Sequence, residues 1–324
     1  MKRRKLLRAL GLLALLVVVL ETALQFSPAV QFYLLEKRLH CAADFYLRLC
    51  PAQAITFHHP SGFSYTITTD QVGERITSRN PPSASDTNEI WILGDYIAMG
   101  YGVSDAESFP YLIQTNPGIF HAGAEGLHTR IRNLGVDSMG TVAMADVLQK
   151  TQGQPSYIFW PFSPSDFIDD PSELARQSSL SKRLAFRFRT RIARHSAILA
   201  MLKHLRESGR RDAYLTGSVV TRDHPTFQGI LRLNQIAKDK HSRLCVVLYQ
   251  DVEAGGSRPA KSDPIREDVS RFLSENSICT VDARPEFLSY NGNDLYLAND
   301  GHPAQAAQKL LADAILHFLK NQPR

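Results

Sequence analysis

LGDYIAMGYGVSDAESFPYLI, Leu93 to Ile113, is the stretch on which the reading of the fold turns. The apolar run EIWI, Glu89 to Ile92, leads into it, Gly94 and Asp95 mark a turn, and apolar helical spacing begins again at Phe109. The segment therefore reads as strand, turn, helix. A turn of this kind presents the residue after Gly94-Asp95 at the carboxyl end of a strand, where a nucleophilic serine is often displayed. Here that residue is Tyr96.

The same alternation recurs along the chain. RIRNLGV, SYIFWPF, RLCVVLY and SICTVDA are short apolar runs bounded by loops. Helical spacing falls between them, at Phe109–Gln114, Val142–Gln149, Arg183–Glu207, Gly229–Ala237 and Ile265–Glu275, and the chain closes on the amphipathic AQAAQKLLADAILHFLK. Nearly continuous apolar strands alternating with helices predict an α/β fold whose parallel sheet is covered on both faces. FSYTITTD, Phe63 to Asp70, alternates like an exposed strand, and NPPSASDTN, Asn80 to Asn88, reads as a turn-rich linker. With 324 residues, 44% hydrophobic and 21% charged, the chain is globular in composition and large enough for one big domain or two small ones.

The N-terminus has a different character. Lys2, Arg3, Arg4, Lys5 and Arg8 precede an uninterrupted apolar run from Ala9 to Leu20, extended by weaker residues to Phe26. Basic residues ahead of an apolar core predict an uncleaved signal anchor, with a cleaved secretory peptide as the alternative. The chain then divides into a basic tip and signal anchor (1–26), an amphipathic stem (27–60) that reads as helical from 27 to 56, and the α/β domain (61–324), with the domain outside the cytoplasm. That compartment permits disulfides. Cys41 and Cys50 flank an eight-residue segment and are predicted to pair, whereas Cys245 and Cys279, in two strand-like runs, read equally well as buried thiols. No zinc-site spacing and no cofactor motif is present in the sequence, so no metal and no cofactor is expected.

From Lys182 to Arg211 there are ten Lys or Arg residues and one acid, Glu207. Leu184, Phe188, Ile192, Ile198, Leu199, Leu202 and Leu205 keep helical spacing within it. This is a basic, amphipathic helical pair. It is either a solvated helix face or a contact for anionic headgroups or acidic polysaccharide. Nucleic acid is not an expected partner outside the cytoplasm.

Four blocks in order, from about Ser61 to Leu319, together resemble the SGNH (GDSL-type) hydrolase family, in particular its membrane-anchored bacterial branch. They are LGDYIAMGYGVSDAESFPYLI, NLGVDSMGT (Asn133 to Thr141), IFWPFSPSDFIDD (Ile158 to Asp170) and LANDGHPAQAAQKLLADAI (Leu297 to Ile315). The resemblance implies a flavodoxin-like three-layer α/β/α sandwich with its site at the carboxyl ends of the strands. It also implies a serine nucleophile, a histidine base oriented by an aspartate three residues earlier, and an oxyanion held by backbone N–H groups and an asparagine amide.

Carried over position by position, the nucleophile site is Tyr96, the glycine of the second block is Ser138, the asparagine of the third is Ser165, and the aspartate is Asn299. Only His302 is retained, with Asp300 two residues before it as a substitute orienter. Two readings of function follow. One is a catalytically silent, membrane-anchored protein that binds a glycan, an acylated ligand or an envelope partner in the former cleft. The other is an acyl hydrolase or O-acyl transferase acting on cell-surface carbohydrate or lipid, with His302 as base, Asp300 as orienter and Ser138, Ser104 or Tyr96 as nucleophile. A purely structural periplasmic component is the plainest remaining possibility. Each residue also has a structural role available: His302 and Asp300 at a helix start, Asp95 and Asp166 as turn-formers, Trp91 and Trp160 as core.

Overall fold

The computed structural model describes residues 2–80, 87–116, 128–202, 205, 221–251, 264–298 and 300–322. Two small hairpins come first: β1 (His40–Ala42) pairs with β2 (Leu47–Leu49), and β3 (Ala54–His58) with β4 (Ser64–Thr68). Five parallel strands then form the central sheet: β5 (Thr87–Ile92), β6 (His128–Asn133), β7 (Tyr157–Pro161), β8 (Arg243–Leu248) and β9 (Cys279–Asp282). Their order is β6-β5-β7-β8-β9, the flavodoxin-like arrangement. The chain winds outward from β5 to β6 and then crosses back to β7, so the switch point lies beside β5. The carboxyl end of β5 carries Gly94, Asp95 and Tyr96.

Side chains alternate along β5 and build two cores. Trp91 and Leu93 face one way, packing with Trp160 and Val246 against helices Thr141–Lys150 and Pro225–Asp239, represented by Met144, Leu148, Phe227 and Leu233. Ile90 and Ile92 face the other way, with Phe159 and Val247, against helices Phe109–Gln114 and Gln305–Lys320 through Ile113, Leu311 and Ile315. Each such large apolar side chain taken from water stabilises the fold by about 1.5–3 kcal/mol. The sandwich is thus a sheet sealed on both sides, with only its strand ends free for chemistry.

The stem differs from the sequence expectation. Helix Pro28–Leu39 stops at Leu39, and the chain turns into β1 and β2 instead of remaining helical to residue 56. The boundary drawn at residue 60 falls between β3 and β4, which pair from Ala54↔Thr68 to His58↔Ser64, so stem and domain share one hairpin. Phe32, Phe45, Leu49 and Phe57 are buried in the same core as Trp91. Cys41 is bonded to Cys50 across the β1–β2 turn, with Cα atoms 5.1 Å apart, and Cys245 to Cys279 between neighbouring strands β8 and β9, at 4.4 Å.

Helix Lys2–Gln25 contains a 22-residue stretch, Arg4–Gln25, long and apolar enough to cross a membrane, with none of its apolar window buried against the rest of the chain. At 1.5 Å per residue such a helix spans about 33 Å, enough for a hydrocarbon layer of about 30 Å. The basic segment divides into helix Leu180–Ala193 and a second helical stretch from 197 to 202. Residues 203, 204 and 206–211 of that segment, together with Asn299, lie outside the described residues.

Candidate functional site

Gly94 lets β5 turn into a four-residue helix, Tyr96–Met99, capped by Asp95. Its φ is 145°, and a Cβ there would sit 3.0 Å from the Cβ of Ala98 and 3.2 Å from Cδ1 of Trp160. The loop after β6 packs directly onto this helix: a Cβ on Gly135 would lie 2.4 Å from the backbone nitrogen of Met99. Ser138, in the same loop, has φ 60°, a left-handed conformation that glycine adopts more easily. The position aligned with a glycine thus keeps a glycine-like backbone although it bears a side chain.

Tyr96 occupies the first turn after β5, and its hydroxyl heads a buried chain of hydrogen bonds. The Ser165 hydroxyl donates to Oδ2 of Asp95 at 2.9 Å. Ser163 and Ser165 hydroxyls are 2.8 Å apart, and the Tyr96 hydroxyl is 3.1 Å from that of Ser163. A hydroxyl has one proton to give. Because Ser165 spends its proton on Asp95, Ser163 donates to Ser165 and Tyr96 donates to Ser163. The other Asp95 oxygen accepts from the Ile97 N–H at 3.0 Å.

Electrostatics fix this polarity. Burial first, and then the negative charge of Asp95, push the Tyr96 phenol above its ordinary value near 10. Burial also raises the Asp95 carboxyl, against the bonds from Ile97 and Ser165 that favour its charge. Asp166 is buried beside it, with Oδ1 lacking any hydrogen-bond partner. Burial and the charge of Asp95 hold Asp166 well above the usual carboxylate range, so it carries the proton of this acidic pair and Asp95 the charge.

His302 lies just ahead of the C-terminal helix, which begins at Gln305. Its Nδ1 is hydrogen-bonded to Oδ1 of Asp300, which also accepts from the His302 backbone N–H at 3.2 Å. The orienting carboxylate therefore comes from two residues before the histidine. The other Asp300 oxygen lies 3.5 Å from Nε2 of His59, in the loop after β3. Burial alone would raise the Asp300 carboxyl; the bonds and charge of His302, with the charge of His59, outweigh it and hold the group below its ordinary value. Burial pushes His59 down, partly countered by Asp300.

The His302 ring is wedged between two tyrosines. Tyr96 meets it edge-on, with centroids 4.5 Å apart and planes at 89°, and Tyr101 lies at 4.5 Å and 44°. The structure therefore brings together Tyr96, His302, Asp300, Ser165 and Asp95. Among the described residues no hydrogen bond joins Ser138 to Tyr96 or His302, and the Ser104 hydroxyl instead accepts from the Thr66 N–H at 3.3 Å. Three participants escaped sequence reasoning. Ser163, two before Ser165 in FSPSD, was within reach of a spacing argument; Tyr101 and His59 give no local signal. Chemically, the site offers an imidazole with an oriented Nδ1, but the hydroxyl of Tyr96 beside it points into a chain that ends on a carboxylate.

No family model matches the chain, and no curated protein matches it. Among solved structures it is similar to a lipolytic protein of the G-D-S-L family from Veillonella parvula, at 14% identity over 73% of this chain and 100% of that one, with a TM-score of 0.42. It is also similar to LAE5, an alpha/beta hydrolase from the metagenome of Lake Arreo, at 15% identity over 73% and 97% of the two chains and a TM-score of 0.45. A third is a catalytic mutant of Axe2, an acetylxylan esterase from Geobacillus stearothermophilus, at 14% identity over 72% and 95%, with a TM-score of 0.43.

Proposed function

We propose that this chain is a membrane-anchored protein with a hydrolase-like sandwich whose catalytic site is silent, and that it uses the former cleft to bind a glycan, an acylated ligand or an envelope partner. The domain stands outside the cytoplasm, held by the helix at Arg4–Gln25, in keeping with the basic flank before that helix and with bonded cysteines. One observation carries the reading: the Tyr96 ring fills the space against His302 where a serine would leave room for an acyl carbon, and its hydroxyl donates away from the imidazole to Ser163. A phenol with its pKa raised by burial is protonated at neutral pH and has no base to activate it. The purified protein should hydrolyse short acyl esters no faster than buffer. Wild-type turnover abolished by either Tyr96→Phe or His302→Ala would overturn the proposal.

The second reading, an active acyl hydrolase or O-acyl transferase, is favoured by one feature, the Asp300 to His302 Nδ1 bond, which supplies the orienting charge that Asn299 lacks. It requires a nucleophile that reaches His302 Nε2. A hydroxamate or fluorophosphonate probe that labels Ser138, Ser104 or Tyr96 in the wild type, and fails to do so in His302→Ala, would establish it.

A further inference from the structure

Helix Leu180–Ala193 has two faces, and the apolar one points away from the protein. Residues 183, 186, 190 and 193 recur at helical spacing and form the inner face. Arg183 pairs with Asp44 at 2.8 Å, and the Arg176 guanidinium covers the Phe186 ring at 4.9 Å. On the opposite side Leu180, Leu184, Phe188 and Ile192 follow one another every four residues and are 64%, 54%, 67% and 38% exposed. Arg187 and Arg191 border that stripe on one flank and Arg189 on the other, and all three are exposed. A water-facing surface helix carries this pattern reversed, with its apolar stripe turned inward.

The neighbouring helical stretch repeats the arrangement. Ala197 and Ala200 are buried against Val30 and Leu34, while Leu199, Leu202 and Leu205 are 39%, 56% and 58% exposed. Its first turn is tied to the anchor helix itself: the Glu21 carboxylate accepts from the Ser196 hydroxyl at 2.9 Å and from the N–H groups of Ala197 at 2.5 Å and Ile198 at 3.2 Å. Glu21 sits one turn before the end of the stretch Arg4–Gln25. The cap therefore fixes the start of the second helix at the level where the anchor leaves the hydrocarbon. Between anchor and basic helix lies a cleft of about 640 Å³ lined by Glu21, Phe188, Arg191, Ile192, His195 and Ser196.

We propose that these two helices lie in the interface of the bilayer that the anchor crosses, with the stripe Leu180, Leu184, Phe188 and Ile192 among the acyl chains and its flanking arginines at anionic headgroups. Apolar side chains exposed on one face, cations on both borders and attachment to a membrane-length helix are what an interfacial helix needs. An anionic bilayer satisfies both the charge and the apolar stripe; water satisfies only the charge. The inference rests on the anchor reading, and the test separates the two.

The full-length chain is reconstituted in vesicles of phosphatidylcholine and phosphatidylglycerol with brominated acyl chains. Tryptophan quenching is read in Phe188→Trp and Arg189→Trp, against the background of the buried Trp91 and Trp160. The tryptophan at 188 should be quenched at least twofold more than the one at 189. Combining Phe188→Trp with Arg187→Glu and Arg191→Glu, or omitting phosphatidylglycerol, should reduce that quenching at least twofold. Equal quenching at 188 and 189, or none at either, overturns the proposal, as does quenching indifferent to charge. Alkaline extraction of native membranes reports on the anchor alone: a chain released by alkali whose tryptophan at 188 is still quenched loses the anchor reading and keeps the interfacial helices. A chain retained but unquenched does the reverse.

Discussion

Tyr96, Ser163, Ser165 and Asp95 pass hydroxyl protons in one direction, and this polarity decides what single substitutions do. Tyr96→Ser removes the ring but leaves no side-chain amide for an oxyanion, a donor worth about 10²–10³ in rate. Tyr96→Ser with Ser165→Asn supplies both missing groups, and Asp300 already orients His302, so this double variant should show ester turnover at least about tenfold above Tyr96→Ser alone. Equal rates in the two variants, by p-nitrophenyl ester assay, would mean that the cleft has lost more than these side chains. Glu173 gives a second residue-scale expectation. Burial, followed by the charge of Asp170, pushes its carboxyl up to about 8, against the N–H bonds of Gly140 and Ala143. Below its ordinary value of 4.5 the carboxyl is protonated whether the chain is folded or not. From there to about 8 only the folded chain keeps the proton, so stability falls as pH rises, and above about 8 that loss is complete. Unfolding free energies of the wild type from urea titrations should therefore decline from pH 5 to 8.5, by up to about 1.4 kcal/mol per pH unit, more steeply than those of Glu173→Gln. Parallel slopes would refute the assignment. Of the site, Tyr96, Ser165 and His302 were legible because each sits inside a local pattern. His59 was not, because it reaches Asp300 from a hairpin more than two hundred residues earlier, and no local spacing records such a contact.

Among the elements, the loop that follows Tyr96–Met99 is held by a single buried side chain. Arg75 Nη1 donates to the carbonyls of Met99 at 2.7 Å and Gly100 at 2.5 Å, Nη2 to Val103 at 2.7 Å, and Nε to Asp105 at 2.9 Å. Gly100 is obligatory beside it, since a Cβ there would lie 2.7 Å from Nη1. The residues GYGVSD thus serve as a cradle for one guanidinium, and the cradle sets Tyr101 against His302. Arg75→Met would take the guanidinium's bonds from the carbonyls of Thr66, Met99, Gly100 and Val103 and its charge from Asp105, which keeps the Thr68 N–H, at a cost of about 3–5 kcal/mol. Chemical denaturation measures it, and a loss below about 1 kcal/mol would show that the loop is held by other contacts. The strands of the central sheet were readable because buried parallel strands are continuous apolar runs. The stem was misread because β1 and β2 have three residues each, too few to display alternation, and their apolar residues suit helical spacing equally well.

For the whole molecule, two covalent bonds tie short elements together within the cores. The Cys41–Cys50 bridge spans 9 residues and pins the hairpin that follows helix Pro28–Leu39; the Cys245–Cys279 bridge spans 34 and ties the edge strand β9 to β8. Loop-closure entropy assigns about 2.5 kcal/mol to the first and about 4 kcal/mol to the second. Together they are comparable with the whole stability margin of an ordinary domain, about 5–15 kcal/mol. The proposed position of the domain outside the cytoplasm would keep both bonds oxidised. Replacing Cys245 and Cys279 by alanine should therefore lower the unfolding free energy by more than the same change at Cys41 and Cys50. Removing both pairs should bring the protein close to its unfolding midpoint at 37 °C. Denaturation of the three variants, each compared with wild type with and without reductant, checks the order. If the short loop proves the costlier loss, residual structure in the unfolded chain outweighs loop length, and the bridge in the N-terminal hairpin becomes the principal clamp of the fold.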